Sequence, residues 1–310
     1  MRILMLGATG TIGRATRAEL LARGHEVVCF GRPSAETQRV GDVTDVISVE
    51  RDGFRGEVFD AVVSCMASRN GLPRDAWAID HKAHSLVLKA AQKFGVKYFV
   101  LLSAICVQKP KLAFQYAKLA FEAELIASGL TYSIVRPTAY FKSLSGQVAR
   151  VMKGKPYLVF GDGHLTSCKP ISDGDVACYM ANCLEDRLLQ NAILPIGGPG
   201  EALTPRVQGQ QLFEMLGKAP RFRTVPVGLM SAIIFVLEIL GRFSRRIADK
   251  AELARIGRYY ATESMLVWNP ATQKYDAAAT PSFGTETLQQ FHEKLIKGEV
   301  TVDLGEAAVF

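Results

Sequence analysis

The chain has 310 residues, 48% of them hydrophobic, enough for one large core with a smaller lobe. Its 37 Lys and Arg against 30 Asp and Glu give a net charge of +7, which suits an anionic ligand. The excess forms no long basic run, which argues against a nucleic-acid partner.

The apolar run Ile3 to Leu6 predicts a first strand, and three glycines spaced three apart follow it in Gly7-Ala-Thr-Gly10-Thr-Ile-Gly13. A helix pattern from Thr11 to Arg23 comes next, then a second strand, Glu26 to Phe30. In this order the first glycine permits a tight turn and the second lets backbone approach a pyrophosphate. The third lets helix and strand pack closely. Gly7, Thr9, Gly10, Thr11, Ile12 and Gly13 are therefore expected to cradle a dinucleotide at a helix N-terminus. NAD-binding folds place an acid at the end of the second strand, but Val27-Val-Cys-Phe-Gly31-Arg32-Pro33 has none. Arg32 suits a ribose 2′-phosphate instead, because its planar fork matches phosphate oxygens. Arg14 is a second candidate, and a solvated surface arginine is the plain alternative. NADPH is expected over NADH.

Alternating patterns continue: a strand from Val58 to Cys65, a helix from 76 to 94 and a strand from Tyr98 to Ser103. A helix from Lys111 to Ser128 then closes at Gly129, and a strand from Thr131 to Arg136 stops at Pro137. Unbroken apolar strands alternating with helices predict an α/β fold, a Rossmann-type doubly wound parallel sheet covered on both faces. Residues 1–137 form its NADPH-binding core in this reading. Residues 138–310 are a mixed region that completes the core and builds a smaller C-terminal substrate-binding lobe.

Pro226 to Arg246 carries apolar residues at helical spacing with arginines after them. It reads either as a helix in peripheral contact with an anionic membrane or as a core helix of the lobe, and the core reading is preferred. No stretch reaches the roughly 20 apolar residues of a spanning helix. The first strand starts almost at once, so no leader is expected. The tail after Gly298 is expected to be loosely packed. Six cysteines (Cys29, Cys65, Cys106, Cys168, Cys178, Cys183) show no CxxC, and five scattered histidines show no ligand spacing. Neither a disulfide framework nor a metal site is expected, and a reducing, cytoplasmic compartment fits.

The glycine motif, the Gly41-Asp42-Val43 step and Ser103 at a strand end together resemble the atypical branch of the short-chain dehydrogenase/reductase superfamily. That resemblance implies that Asp42 and Val43 lie near the adenine. It places the backbone around Cys65 under the cofactor and Ser103 beside the nicotinamide. Longer stretches are similar to divinyl (proto)chlorophyllide 8-vinyl reductases. They are Phe114-Gln-Tyr-Ala-Lys118-Leu-Ala-Phe-Glu-Ala-Glu, Arg136-Pro-Thr-Ala-Tyr-Phe-Lys-Ser-Leu, and Gly154-Lys-Pro-Tyr-Leu-Val-Phe-Gly-Asp-Gly163 running on into Cys168-Lys-Pro-Ile-Ser-Asp173. The resemblance implies NADPH-dependent reduction of a tetrapyrrole's 8-vinyl group to ethyl, in the pigment pathway of a phototrophic bacterium.

The superfamily's Tyr-x-x-x-Lys pair needs residues four apart on one helix face. Lys118 fits the lysine, but Phe114 stands in the tyrosine's place and Tyr116 is only two residues away. A carbonyl reductase needs that acid to protonate an alkoxide, whereas reduction of a conjugated C=C does not. Lys118 is then expected to anchor the nicotinamide ribose, with a solvated surface lysine as the plain alternative, and the proton is expected from Lys118, Tyr116, Tyr140 or water. Pro137 either fixes backbone beside the nicotinamide or merely ends a strand. Tyr140, Phe141, Lys142 and Cys168 either line a flat pocket for the substrate and its propionate or are ordinary core with a surface lysine. Two rivals stand beside this reading: an isoflavone-reductase-like enzyme of another conjugated alkene, and a non-catalytic NADP(H)-binding sensor or accessory subunit.

Overall fold

The computed structural model describes residues 1–302. Strand β1 (Arg2–Leu6) is covered on both faces, with Ile3 to Leu6 wholly buried, which is why it reads as an unbroken apolar run. It turns at Gly7 into α1 (Thr11–Ala22), followed by β2 (Glu26–Gly31) and the short β3 (Arg39–Val40). Asp45 caps a brief turn, α2 (Val46–Ser48), ahead of β4 (Ala61–Ser64). The helix expected from 76 to 94 starts earlier, as α3 (Pro73–Ala76), and passes through a π-helical turn at Trp77–Ala83 into α4 (His84–Lys93). Then come β5 (Tyr98–Leu102), α5 (Ala113–Ala127) and β6 (Thr131–Pro137).

After α6 (Phe141–Leu144), α7 (Val148–Met152) and β7 (Tyr157–Phe160), the chain forms α8 (Asp173–Glu185) and β8 (Ala192–Ile196). Strand β8 pairs with β6 and completes a seven-stranded sheet in the order β3-β2-β1-β4-β5-β6-β8, parallel throughout. Pro195 is tolerated in β8 because that strand is an edge. The expected doubly wound α/β architecture is what forms.

The chain divides into two units. The first, Met1–Pro137 with Asp173–Ile196, holds the large sheet. Its core gathers Leu4, Phe30, Phe54, Val62, Phe99 and Phe121. The second comprises Thr138–Ser172 and the chain from Gly197 on. It contains α9 (Pro205–Met215), β9 (Phe222–Val225) paired with β7, α10 (Val227–Gly241) and α11 (Arg245–Thr262). A hairpin of β10 (Val267–Asn269) and β11 (Lys274–Asp276) and the final helix α12 (Leu288–Lys297) complete it.

The core reading of Pro226 to Arg246 is corrected here. Helix α10 buries only Ile234, and six of its large apolar side chains are exposed. Among the described residues no helix is long and apolar enough to cross a membrane. Most of the tail after Gly298 lies outside the described residues.

Candidate active site

The three glycines of the first turn have three different physical reasons. Gly7 sits at φ +74°, and a Cβ there would lie 2.5 Å from Met66 N and 2.6 Å from the Cys65 carbonyl carbon. A Cβ on Gly13 would overlap the Gly7 carbonyl oxygen, so α1 lies directly on the turn that ends β1. Gly10 differs. Its φ of −73° and ψ of 166° suit any residue, and an added Cβ would meet nothing nearer than Gly7 O at 3.7 Å. The protein's own packing therefore does not require glycine at position 10, which is exposed. Helix α1 also begins with no side-chain cap and no acid in its first turn. Its positive dipole end is left for an anion, and the residues present fit a dinucleotide pyrophosphate.

Around this turn lie the other cofactor candidates. Arg14 is exposed, and its guanidinium donates to the Thr9 carbonyl at 2.5 Å, folding back over the loop. Ile12 is buried and Thr11 half-buried. Arg32, just past β2, is exposed, and its guanidinium makes no ion pair among the described residues. Asp42 accepts from the backbone N–H and the hydroxyl of Thr44, at 2.8 and 2.7 Å, and these bonds hold its carboxyl below the usual range. Val43 packs against the core of the first unit. Cys65 offers its backbone beside Gly7, while its thiol, beside Thr16, is pushed up to about 12 by burial and is inert.

Helix α5, which carries Lys118, takes part in an arrangement of charges that sequence reasoning missed. Lys118 Nζ lies 3.0 Å from Asp80 Oδ1, with the Asp80 side chain wholly buried. The backbone N–H of Ser68 donates to the same oxygen at 3.2 Å, while Asp80 Oδ2 is buried without a hydrogen-bond partner. Asp80 comes from the π-helical turn, and His84 follows one turn later. His84 Nδ1 bonds the Ile79 carbonyl at 2.9 Å, and Nε2 lies 2.8 Å from Ser64 Oγ. Burial first, and the Lys118 charge second, push the imidazole down to about 4, so it stays neutral near pH 7. Four residues beyond Lys118, buried Glu122 accepts from the Ser103 hydroxyl and from the Arg136 guanidinium. A narrow gap opens among Asp80, His84, Ser103, Lys118 and Phe121. Lys118 and Ser103 are thus brought together. Tyr116 is not part of the group: it is 49% exposed, and its hydroxyl donates to the Pro110 carbonyl at 3.1 Å. Phe114, in the usual tyrosine's place, is buried. Pro137 ends β6, paired with Ile196 of β8.

In the second unit, Phe141 is 1% exposed and packs against Phe291 at 5.3 Å between ring centroids. Cys168 is also buried, with its thiol pushed up to about 12 by burial although the Gln208 side-chain N–H reaches its sulfur. Tyr140 and Lys142 remain half-buried.

Sheet order, glycine turn and helix terminus together define an NAD(P)H-binding protein of the Rossmann type. The chain matches the NAD(P)H-binding family over residues 7–187. The fold resembles that of a UDP-glucose 4-epimerase from Thermotoga maritima, with a TM-score of 0.68, 19% identity, and 97% of this chain and 100% of that one covered. The chain is also 48% identical to a divinyl chlorophyllide a 8-vinyl reductase of Oryza sativa subsp. indica and 47% identical to one of Arabidopsis thaliana. In both, 99% of this chain is covered, with 82% and 79% of the relatives. It belongs to the family of divinyl chlorophyllide a 8-vinyl reductases.

Proposed function

We propose that this chain reduces the 8-vinyl group of divinyl chlorophyllide or protochlorophyllide to ethyl, with NADPH as reductant. The observation that carries this reading is the 48% identity, over 99% of the chain, to a reductase of that name. The site chemistry supports it. Vinyl to ethyl takes one hydride and one proton, and both end on carbon. No tyrosine acid needs to stand against a developing alkoxide, and Phe114 stands in that tyrosine's place, while the Ser103 hydroxyl is donated to Glu122.

Bound at the glycine turn, NADPH supplies the hydride. The chain's own contribution is binding and electrostatics. The first turn of α1 holds the pyrophosphate, and Arg32 takes the 2′-phosphate. Asp42 and Val43 border the adenine, and Lys118 anchors the nicotinamide ribose and adds positive potential. On the substrate side we assign Tyr140 and Lys142, the latter to a propionate. The six thiols are all free, which suits a reducing, cytoplasmic compartment. We place the reaction there, at the surface of a photosynthetic membrane.

With purified protein, NADPH and divinyl chlorophyllide, the Soret band is expected to move to the monovinyl position, and to move only weakly with NADH. An unmoved band with tight NADPH binding would overturn the reaction. It would favour another alkene or a non-catalytic NADP(H)-binding role. Arg32→Ala is expected to weaken NADPH binding about 10- to 100-fold and leave NADH binding unchanged, as read by nicotinamide fluorescence. Equal losses for the two cofactors would remove Arg32 from the 2′-phosphate.

A further inference from the structure

Helix α10 is strongly apolar in sequence, yet Ile234 alone of its residues is buried. Leu229, Ile233, Val236 and Leu240 follow one another at helical spacing, and all are between 46% and 53% exposed. Phe235 and Ile239 flank this stripe at 63% and 41%, and Phe243 extends it at 86%. A shallow recess of about 290 Å³ lies along it, between Ala232, Ile233, Val236 and Leu237. The helix's one charged residue, Glu238, is tied to Arg255 of α11 at 2.7 Å, so its charge is neutralised by its neighbour.

Basic residues bracket the apolar helix. Arg221 and Arg223 are exposed just before its N-terminus, and Arg242, Arg245 and Arg246 are exposed just after its C-terminus. Two of these stand in the first turn of α11, which carries no acid. Cations there oppose the helix dipole and destabilise α11, so an anionic partner gives their placement a physical reason.

We propose that α10 is an in-plane membrane helix. Its apolar stripe lies at the acyl boundary of an anionic bilayer, and the arginines at its two ends engage lipid phosphates. At 15 residues the helix is about 22 Å long, too short to span a hydrocarbon core of about 30 Å but long enough to lie in the interface. A second copy of the chain suits the face less well. A two-fold pairing of antiparallel α10 helices sets the arginines of one end against those of the partner's other end. The inference rests on the reading of this chain as an enzyme working at a membrane surface, and it names the lipid chemistry and the residues.

The test is flotation of the full chain with vesicles of phosphatidylcholine alone or with added phosphatidylglycerol. The expected result is co-flotation with the anionic vesicles only, weakened by salt. Binding is expected to fall about 10-fold or more in Ile233→Asp/Phe235→Asp and in Arg242→Gln/Arg245→Gln/Arg246→Gln. NADPH binding should be unchanged in both variants, which shows that they fold. Wild-type protein left in the soluble fraction overturns the proposal. So does an apolar-face variant that floats as well as wild type. A dimer in light scattering that the aspartate variant dissociates, with no flotation, makes the face a self-association surface instead. Vinyl reduction of detergent-dispersed pigment, assayed on the same samples, keeps the two readings apart. Activity without flotation overturns only the membrane helix, and flotation without activity overturns only the reaction.

Discussion

Gly10→Ala is expected to fold normally and bind NADPH at least about 10-fold more weakly, whereas Gly13→Ala is expected to lower the melting temperature of the first unit sharply. The two changes add the same methyl group three residues apart, and only its surroundings differ. At position 13 the new Cβ overlaps the Gly7 carbonyl oxygen, a backbone atom at the end of a buried strand that cannot move aside. Overpacking of this kind costs about 1–3 kcal/mol or more, a large share of a typical stability of about 5–15 kcal/mol. At position 10 the backbone is already extended and the nearest atom is 3.7 Å away. Alanine there should stabilise the folded state by about 0.4–1 kcal/mol, because it restricts the unfolded chain. Thermal melts and fluorescence titrations on both variants read the two effects separately. Wild-type NADPH affinity in Gly10→Ala would mean that the pyrophosphate does not approach this glycine.

Lys118→Ala is expected to reduce kcat about 100-fold or more and to destabilise the protein at the same time. The stability loss follows from Asp80, whose side chain is wholly buried against the Lys118 ammonium. Removing one partner of such a pair leaves an uncompensated charge, at about 3–5 kcal/mol. Adding Asp80→Asn to Lys118→Ala should therefore restore most of the melting temperature and none of the activity. Tyr116→Phe should leave both nearly unchanged, since that half-exposed hydroxyl donates to the Pro110 carbonyl, away from Lys118. If the double variant regained turnover along with stability, Lys118 would be a structural partner of Asp80 and not part of the reaction.

Much of the first unit is legible in the sequence, and the reasons are local. A strand buried on both faces must be apolar at every position, so β1, β4, β5 and β6 stand out as runs. The glycine spacing is likewise a statement about backbone that must turn, approach a phosphate and pack within seven residues. Strand β8 was harder to see. Its Ala-Ile-Leu-Pro-Ile carries a proline that argues against a strand, and only its place at the sheet edge makes that proline harmless. Asp80 was hidden for another reason. Nothing in the segment from 73 to 93 marks one acid as special, and its role arises because the π-helical turn packs on α5 and presents it to Lys118. Glu122 had a weak signal, four residues after Lys118 on an otherwise apolar helix face.

By itself, the sequence determined the fold class, the dinucleotide turn, the lysine without its tyrosine, and the family. All of these are encoded in residues close together along the chain, where backbone geometry and side-chain period act directly. Tertiary structure decided which distant groups meet: the Asp80–Lys118 pair, the Ser103–Glu122–Arg136 chain and β8 beside β6. It also decided the fate of α10. Hydrophobicity requires that helix to avoid water, but only the surrounding chain determines whether protein covers it, and here only Ile234 is buried.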